Sequence, residues 1–182
     1  MRRLCLMVVA LFCALNLSAQ NSAREWIEGL NYTLGDRFAL YMKVKAYDEQ
    51  TDGYFIVDKD SYYIQLGQME VYSDGKYRYE VNNSRKEVTE DRVNLENRDL
   101  LSNPTRAFEF LDSEFKATIS EKIHNGVILK LVPKQSSDIT AIYVSVVWRD
   151  NRIIPLAIKY DYDGEEVNIG LIMADVNSAV LP

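Results

Sequence analysis

The sequence predicts a mainly β (α+β) protein: one large, highly curved antiparallel sheet wrapped round short helices. Three observations carry this. Apolar and polar residues alternate with period two through about ten separate segments, the pattern of strands with one apolar face. The strand connections are short and rich in Asp, Asn and Gly, which suits an antiparallel meander. Twelve tyrosines fall mostly in these segments, where half-buried sheet positions favour them. A two-sheet sandwich is the alternative arrangement of the same strands.

Taken in order, Ser22-Ala-Arg-Glu25 reads as a capping box. Trp26, Ile27 and Leu30 follow on one face of a short helix that Gly35 ends. Phe38, Leu40, Met42, Val44 and Ala46 alternate with Ala39, Tyr41, Lys43 and Lys45 in a long strand, and Asp48–Gly53 reads as its turn. Next come Tyr54–Asp58, Ser61–Leu66 and Met69–Val81, the last broken by the turn signal Asp74-Gly75. Carrying the alternation straight through that turn puts Tyr62, Ile64, Leu66, Met69, Val71, Tyr77, Tyr79 and Val81 on one face. Gln65, Glu70, Lys76, Arg78 and Glu80 then fall on the other. Lys86–Glu90 reads as a charged edge strand.

Within Leu100–Phe115, Asn103 can cap a helix and Pro104 suits its first position. Ala107, Phe108, Leu111 and Phe115 then share one side. Strands over Ala117–Ile123, Val127–Val132, Ile139–Trp148, Ile153–Tyr162 and Val167–Met173 complete the chain, with turns at His124-Asn-Gly126, Arg149–Arg152 and Asp163-Gly164.

The start of the chain predicts export. Arg2-Arg3, the apolar run Leu4–Leu17 and Ser18-Ala19-Gln20 read as a cleaved signal peptide over residues 1–19, leaving one domain over 20–182. The apolar run is short for a membrane span of about 20 residues. Phe12 stands where lipoprotein processing at Cys13 needs a small residue, so an unmodified periplasmic protein is expected. Cys5 and Cys13 both lie in the leader, so the mature chain holds no thiol and no disulfide. The full chain carries a net charge of −6, and losing Arg2 and Arg3 makes it more acidic, which argues against nucleic acid and anionic membrane surfaces as partners.

The residues that carry chemistry elsewhere are sparse. His124 is the only histidine and sits in a turn, so no zinc constellation and no serine triad can be drawn round it. Asp58-Lys-Asp60 and Asp161-Tyr-Asp-Gly-Glu-Glu166 read as solvated turns, and the second lacks the ligand spacing of an EF-hand. The sequence therefore predicts a binding protein, with no catalytic residue, no metal and no cofactor.

Gly53-x-Phe-x-Val57, the tyrosine-rich strand Ser61–Leu66, Val71-Tyr-Ser-Asp-Gly-Lys-Tyr77 and Lys86-Glu-Val-Thr resemble the LolA-like outer-membrane lipoprotein carriers. Ser102-Asn-Pro104 with Ala107-Phe108 looks like that family's Pro-started lid, and Leu131-Val-Pro-Lys134 like its Leu-x-Pro-Lys strand end. The resemblance covers roughly residues 24–177 in order, each motif being weak alone. It implies an incomplete antiparallel β-barrel with a lid over an apolar concave face that receives acyl chains. Carried onto this chain, the wall takes Leu40, Met42, Val44, Tyr62, Ile64, Leu66, Val71, Tyr77 and Tyr79, and the lid Pro104, Ala107, Phe108 and Leu111. Two departures stand out: Asp58 and Lys59 where carriers have a lid-tying arginine, and a sequence running to Leu181-Pro182 without the terminal strand the family usually adds.

The resemblance further implies a monomeric periplasmic chaperone of lipoproteins or a related lipid. It would be loaded by an inner-membrane lipoprotein-release transporter and unloaded to an outer-membrane acceptor. A periplasmic sensor or regulatory module that binds a protein is the alternative use of the fold. Physically such a carrier is needed because burying one methylene is worth about 0.8 kcal/mol, so a long acyl chain in water costs on the order of 10 kcal/mol.

Overall fold

The computed structural model describes residues 23–46, 49–93, 114–135, 139–162 and 164–176. Residues 23–34 form helix α1. Its last turn closes where the Gly35 N–H donates to the Asn31 carbonyl at 2.9 Å with Gly35 at φ 58°, the left-handed stop that glycine adopts without strain. Eleven strands follow: β1 Arg37–Ala46, β2 Glu49–Asp58, β3 Ser61–Leu66, β4 Met69–Ser73, β5 Tyr77–Asn82, β6 Glu87–Arg92, β7 Phe115–Ile123, β8 Gly126–Pro133, β9 Ile139–Arg149, β10 Arg152–Tyr162 and β11 Glu165–Val176.

All eleven make one antiparallel sheet in the order β6-β5-β4-β3-β2-β1-β11-β10-β9-β8-β7. The first strand pairs with the last, and every other neighbour in the sheet is a neighbour in sequence. The sheet is curled and unclosed, so the incomplete barrel is found and the sandwich is not. Its two free edges, β6 and β7, are consecutive strands joined through residues 93–114. The expected lid residues Pro104, Ala107, Phe108 and Leu111, and the expected leader over 1–19, lie outside the described residues. β6 is exposed along its whole length and carries Glu87, Glu90, Asp91 and Arg92, charges that discourage pairing with a further strand.

Helix α1 lies in the hollow of the sheet. Ala23, Ile27, Leu30 and Leu34 pack with Phe38 and Leu40 from β1 and with Leu129, Leu131, Val144, Val146 and Ile153 from the β8–β10 side. The Thr33 hydroxyl accepts the Ile153 N–H at 3.1 Å and sets the helix against the start of β10. One apolar face of β1–β4 and β7–β11 and one stripe of the helix thus make the main core, while Ala39, Ile56 and Tyr63 form a smaller buried cluster on the other face.

Two local expectations change. Glu49–Gly53, expected as turn, is strand: Ala46↔Glu49 through Met42↔Gly53 pair in unbroken register, because the long β1 supplies partners that local composition does not reveal. β10 carries a bulge between Pro155 and Ala157, where proline cannot continue the ladder. The bulge shifts the alternation, so Ile153 and Pro155 before it and Ile158 after it are all buried.

Candidate functional site

Directly opposite residues of an antiparallel pair share a face, so the registers trace rows across the hollow side. One row runs Val57–Tyr62–Ser73–Arg78, and the next Phe55–Ile64–Val71–Glu80. From β1 into β11, Met42 faces Leu171 and Val44 faces Ile169. Beyond the end of the sheet that α1 covers, these rows leave an apolar cleft. It is lined by Leu40, Met42 and Val44 of β1, Phe55 of β2, Ile64, Gln65 and Leu66 of β3, Ile158 and Tyr160 of β10, and Ile169 and Leu171 of β11. Its cavity volume is about 80 Å³. A dry cavity of roughly 150 Å³ admits one benzene ring, so a long acyl chain would enter only as the cleft widens.

Of the wall residues expected from the sequence, Leu40, Met42, Val44, Ile64 and Leu66 line this cleft together. Tyr62 and Val71 lie on the same face but are packed into the core beside it. Tyr77 and Tyr79 are on the opposite face: Tyr79 pairs with Tyr72, while Arg78 pairs with buried Ser73 on the hollow side. The physical reason is the β4–β5 connection. Four residues separate paired Ser73 from Arg78, and an even number exchanges odd and even positions between the two faces. The connection is also not built on paired positive-φ residues. Asp74 Oδ1 accepts the Lys76 and Tyr77 N–H groups, both at 2.8 Å, and only Gly75 takes a positive φ. These two backbone hydrogen bonds hold the Asp74 carboxyl below its usual range.

The flank of the cleft is polar. The Arg78 guanidinium donates to Glu80 at 3.0 Å and reaches the Tyr62 phenol, while its Nε is buried without a partner among the described residues. Burial pushes the Tyr62 phenol up, and the adjacent Arg78 and Ser73 act against that shift. At the rim, Asp58 accepts two hydrogen bonds from Arg37, at 2.7 and 3.0 Å, so the corner where the resemblance leads one to look for an arginine holds one from β1.

The outer face carries a chain of tyrosines. Rings of Tyr41 and Tyr54 lie 4.3 Å apart, Tyr54 and Tyr63 6.3 Å, and Tyr63 and Tyr72 4.9 Å. Glu70 accepts from the Tyr72 and Tyr63 hydroxyls and from Asn83, and these bonds, led by that from Tyr72, lower its carboxyl. Burial, then the hydrogen bond with Tyr41, pushes the Tyr54 phenol up to about 12. Burial and Glu70 raise Tyr63 as well. A phenol raised on folding stabilises the fold fully below its unfolded value near 10, and that stability is lost as pH rises through the folded value. The protein is therefore expected to lose stability between about pH 10 and 12. Ultraviolet titration of tyrosinate should show a late-ionising group absent from the guanidinium-unfolded chain; superimposable curves would contradict this.

His124 is exposed in its turn. Among the described residues no group of three or more His, Cys, Asp or Glu side chains is placed to hold a metal. Sequence reasoning missed Phe55, Ile158, Tyr160, Ile169 and Leu171 as cleft residues, and it put Gln65, which also borders the cleft, on the opposite face. Phe55 was legible, because it stands two before Val57 on an alternating strand. The other four depend on β1 pairing with β11, which no local signal announces.

No family model matches the sequence, and no curated protein matches it. Solved structures do match in shape. An uncharacterized conserved protein from Thermus thermophilus aligns over 87% of this chain and 90% of its own, with TM-score 0.59 and 11% identity. MucB aligns over 88% of this chain and 61% of its own, with TM-score 0.55 and 11% identity. A LolA superfamily protein from Nitrosomonas europaea also matches, over 88% and 94% of the two chains, with TM-score 0.42 and 10% identity. The incomplete antiparallel barrel expected from the sequence is the fold of this chain, shared with the Thermus thermophilus protein and with MucB, and identities this low speak to fold alone.

Proposed function

We propose, taking the LolA-like half-barrel as premise, that the mature protein is a periplasmic carrier. It would hold acyl chains of lipoproteins or of a related lipid in the apolar cleft of the sheet and shuttle them toward the outer membrane. The observation that supports this is the cleft: ten of its eleven lining residues are Leu, Met, Val, Ile, Phe or Tyr, and Gln65 alone is an amide. A closed core would fill such a space, since interiors tolerate few voids. Apolar walls reward each buried methylene by about 0.8 kcal/mol and call for no covalent step. Loading by an inner-membrane release transporter and handover to an outer-membrane acceptor belong to the same reading.

A second reading, a periplasmic module that binds a regulatory protein, is favoured by the outer face, where Tyr41, Tyr72 and Tyr79 are each 37% exposed. Tyrosine-rich faces suit protein contacts. Native mass spectrometry of the protein purified from periplasm separates the two. Co-purified lipid or acylated protein supports the carrier; a stoichiometric protein without acyl chains supports the module and counts against the carrier.

A further inference from the structure

The chain contains two tryptophans, and both line one pocket. It lies at the end of the barrel away from the apolar cleft and is bounded by Trp26 of α1, Asn125 and Gly126 of the β7–β8 turn, and Trp148 near the end of β9. It is a shallow depression open to solvent, with a volume of about 430 Å³. Ile153, which pairs with Trp148, and Ile158, which lines the cleft, are five residues apart on β10, or roughly 17 Å. The two sites are separate.

The pocket is held by backbone. The Trp148 N–H donates to the Asn125 carbonyl at 2.7 Å, and Asn125 takes a φ of 55°. A Cβ at Gly126 would sit 2.1 Å from the Val146 carbonyl oxygen and 2.9 Å from Val147 Cα, so only glycine lets β8 and β9 approach here. Trp148 is 51% exposed, while Ile153, its ladder partner, is buried in the core. Trp26 rests on that core with part of its surface open. Neither indole makes a ring–ring contact among the described residues. The Asn125 carboxamide makes no side-chain hydrogen bond among the described residues.

We propose that the Trp26–Asn125–Trp148 pocket binds a pyranose ring of an oligosaccharide. A pyranose presents a face of C–H bonds whose hydrogens carry partial positive charge, which suits the negative face of an indole. Its rim of hydroxyls needs donors and acceptors together, and a carboxamide supplies both. The other occupants of aromatic sites fit less well. A quaternary ammonium would find no carboxylate lining the pocket, and cation–π attraction is weak where the cation stays hydrated. An acyl chain would remain half in water in a pocket open to solvent, while the more enclosed apolar cleft lies elsewhere. The sugar site does not rest on the carrier reading.

Because both tryptophans are in the pocket, intrinsic fluorescence reports on it directly. The mature protein is titrated with chitotetraose and with cellotetraose, followed by fluorescence and by saturation-transfer NMR, with choline chloride in parallel. A saturable change with at least one oligosaccharide is expected, with a Kd on the order of 1 mM. Trp148→Ala should weaken binding at least about tenfold, with its thermal melt little changed because the ring is half exposed. Asn125→Gly keeps the positive φ, removes the carboxamide and should weaken binding about threefold. Leu66→Glu, in the cleft, should leave the titration unchanged. The proposal is overturned if neither oligosaccharide gives a saturable response by either readout, if Trp148→Ala responds like wild type, or if choline saturates the pocket at lower concentration than both sugars.

Discussion

Leu129→Ala is expected to lower stability by about 3 kcal/mol, near the middle of the range for fully buried leucines. For a domain of this size that is a fall in Tm of roughly 6–12 °C. Leu129 is 0% exposed on β8, in the cluster that also holds Leu30 and Ile27 of α1. Truncation removes the methyl groups on which the helix rests and leaves a void between two stiff elements that can close it only in part. Val88→Ala is the control. Val88 is 65% exposed on β6, and its loss should move stability by about 0.5 kcal/mol or less. Thermal melts by circular dichroism compare the two. Equal melts would mean that α1 does not share a core with β8.

Leu66→Glu should do the opposite: spare the fold and abolish acyl binding. Leu66 and Leu171 line the cleft but are only half buried, so a carboxylate at either position can keep contact with water when the cleft is empty. Melting should stay within about 10 °C of wild type. A fluorescent fatty-acyl probe, in contrast, must strip water from that carboxylate to enter, a cost of several kcal/mol and so well over tenfold in affinity. Leu66→Met keeps the apolar wall and should bind nearly as wild type. Tyr79→Gln, on the outer face, should leave the probe untouched. Arg78 is unsuitable as that outer-face control, because its side chain flanks the cleft beside Glu80. Wild type that binds no probe would refute the carrier reading while leaving the sugar-pocket titration to be judged by itself.

Much of this molecule is written in local pattern. Alternation marked all but one strand within a few residues, Gly35 marked the helix end, and the charges of Lys86–Glu90 marked an edge. These features depend on residues near one another in sequence, since side-chain direction, turn geometry and edge protection are decided within a few positions. Leu40, Met42, Val44, Ile64 and Leu66 were legible as a wall for the same reason. Register was legible only where a connection could be counted. One even connection, between Ser73 and Arg78, sent Tyr77 and Tyr79 to the outside and brought Arg78 in.

The remaining half of the cleft could be settled only in three dimensions. Ile158, Tyr160, Ile169 and Leu171 reach it because β1 pairs with β11 across more than a hundred residues, and because bulges on β10 and β11 re-aim their alternation. The same closure brings the start of β10 against Thr33 and sets Trp26 beside Trp148. Long-range antiparallel pairing has no signature of its own, since any two strands of matching length can offer the same backbone hydrogen bonds. Burial of the apolar faces of β1–β4 and β7–β11 in one core with the helix selects the pairing that exists.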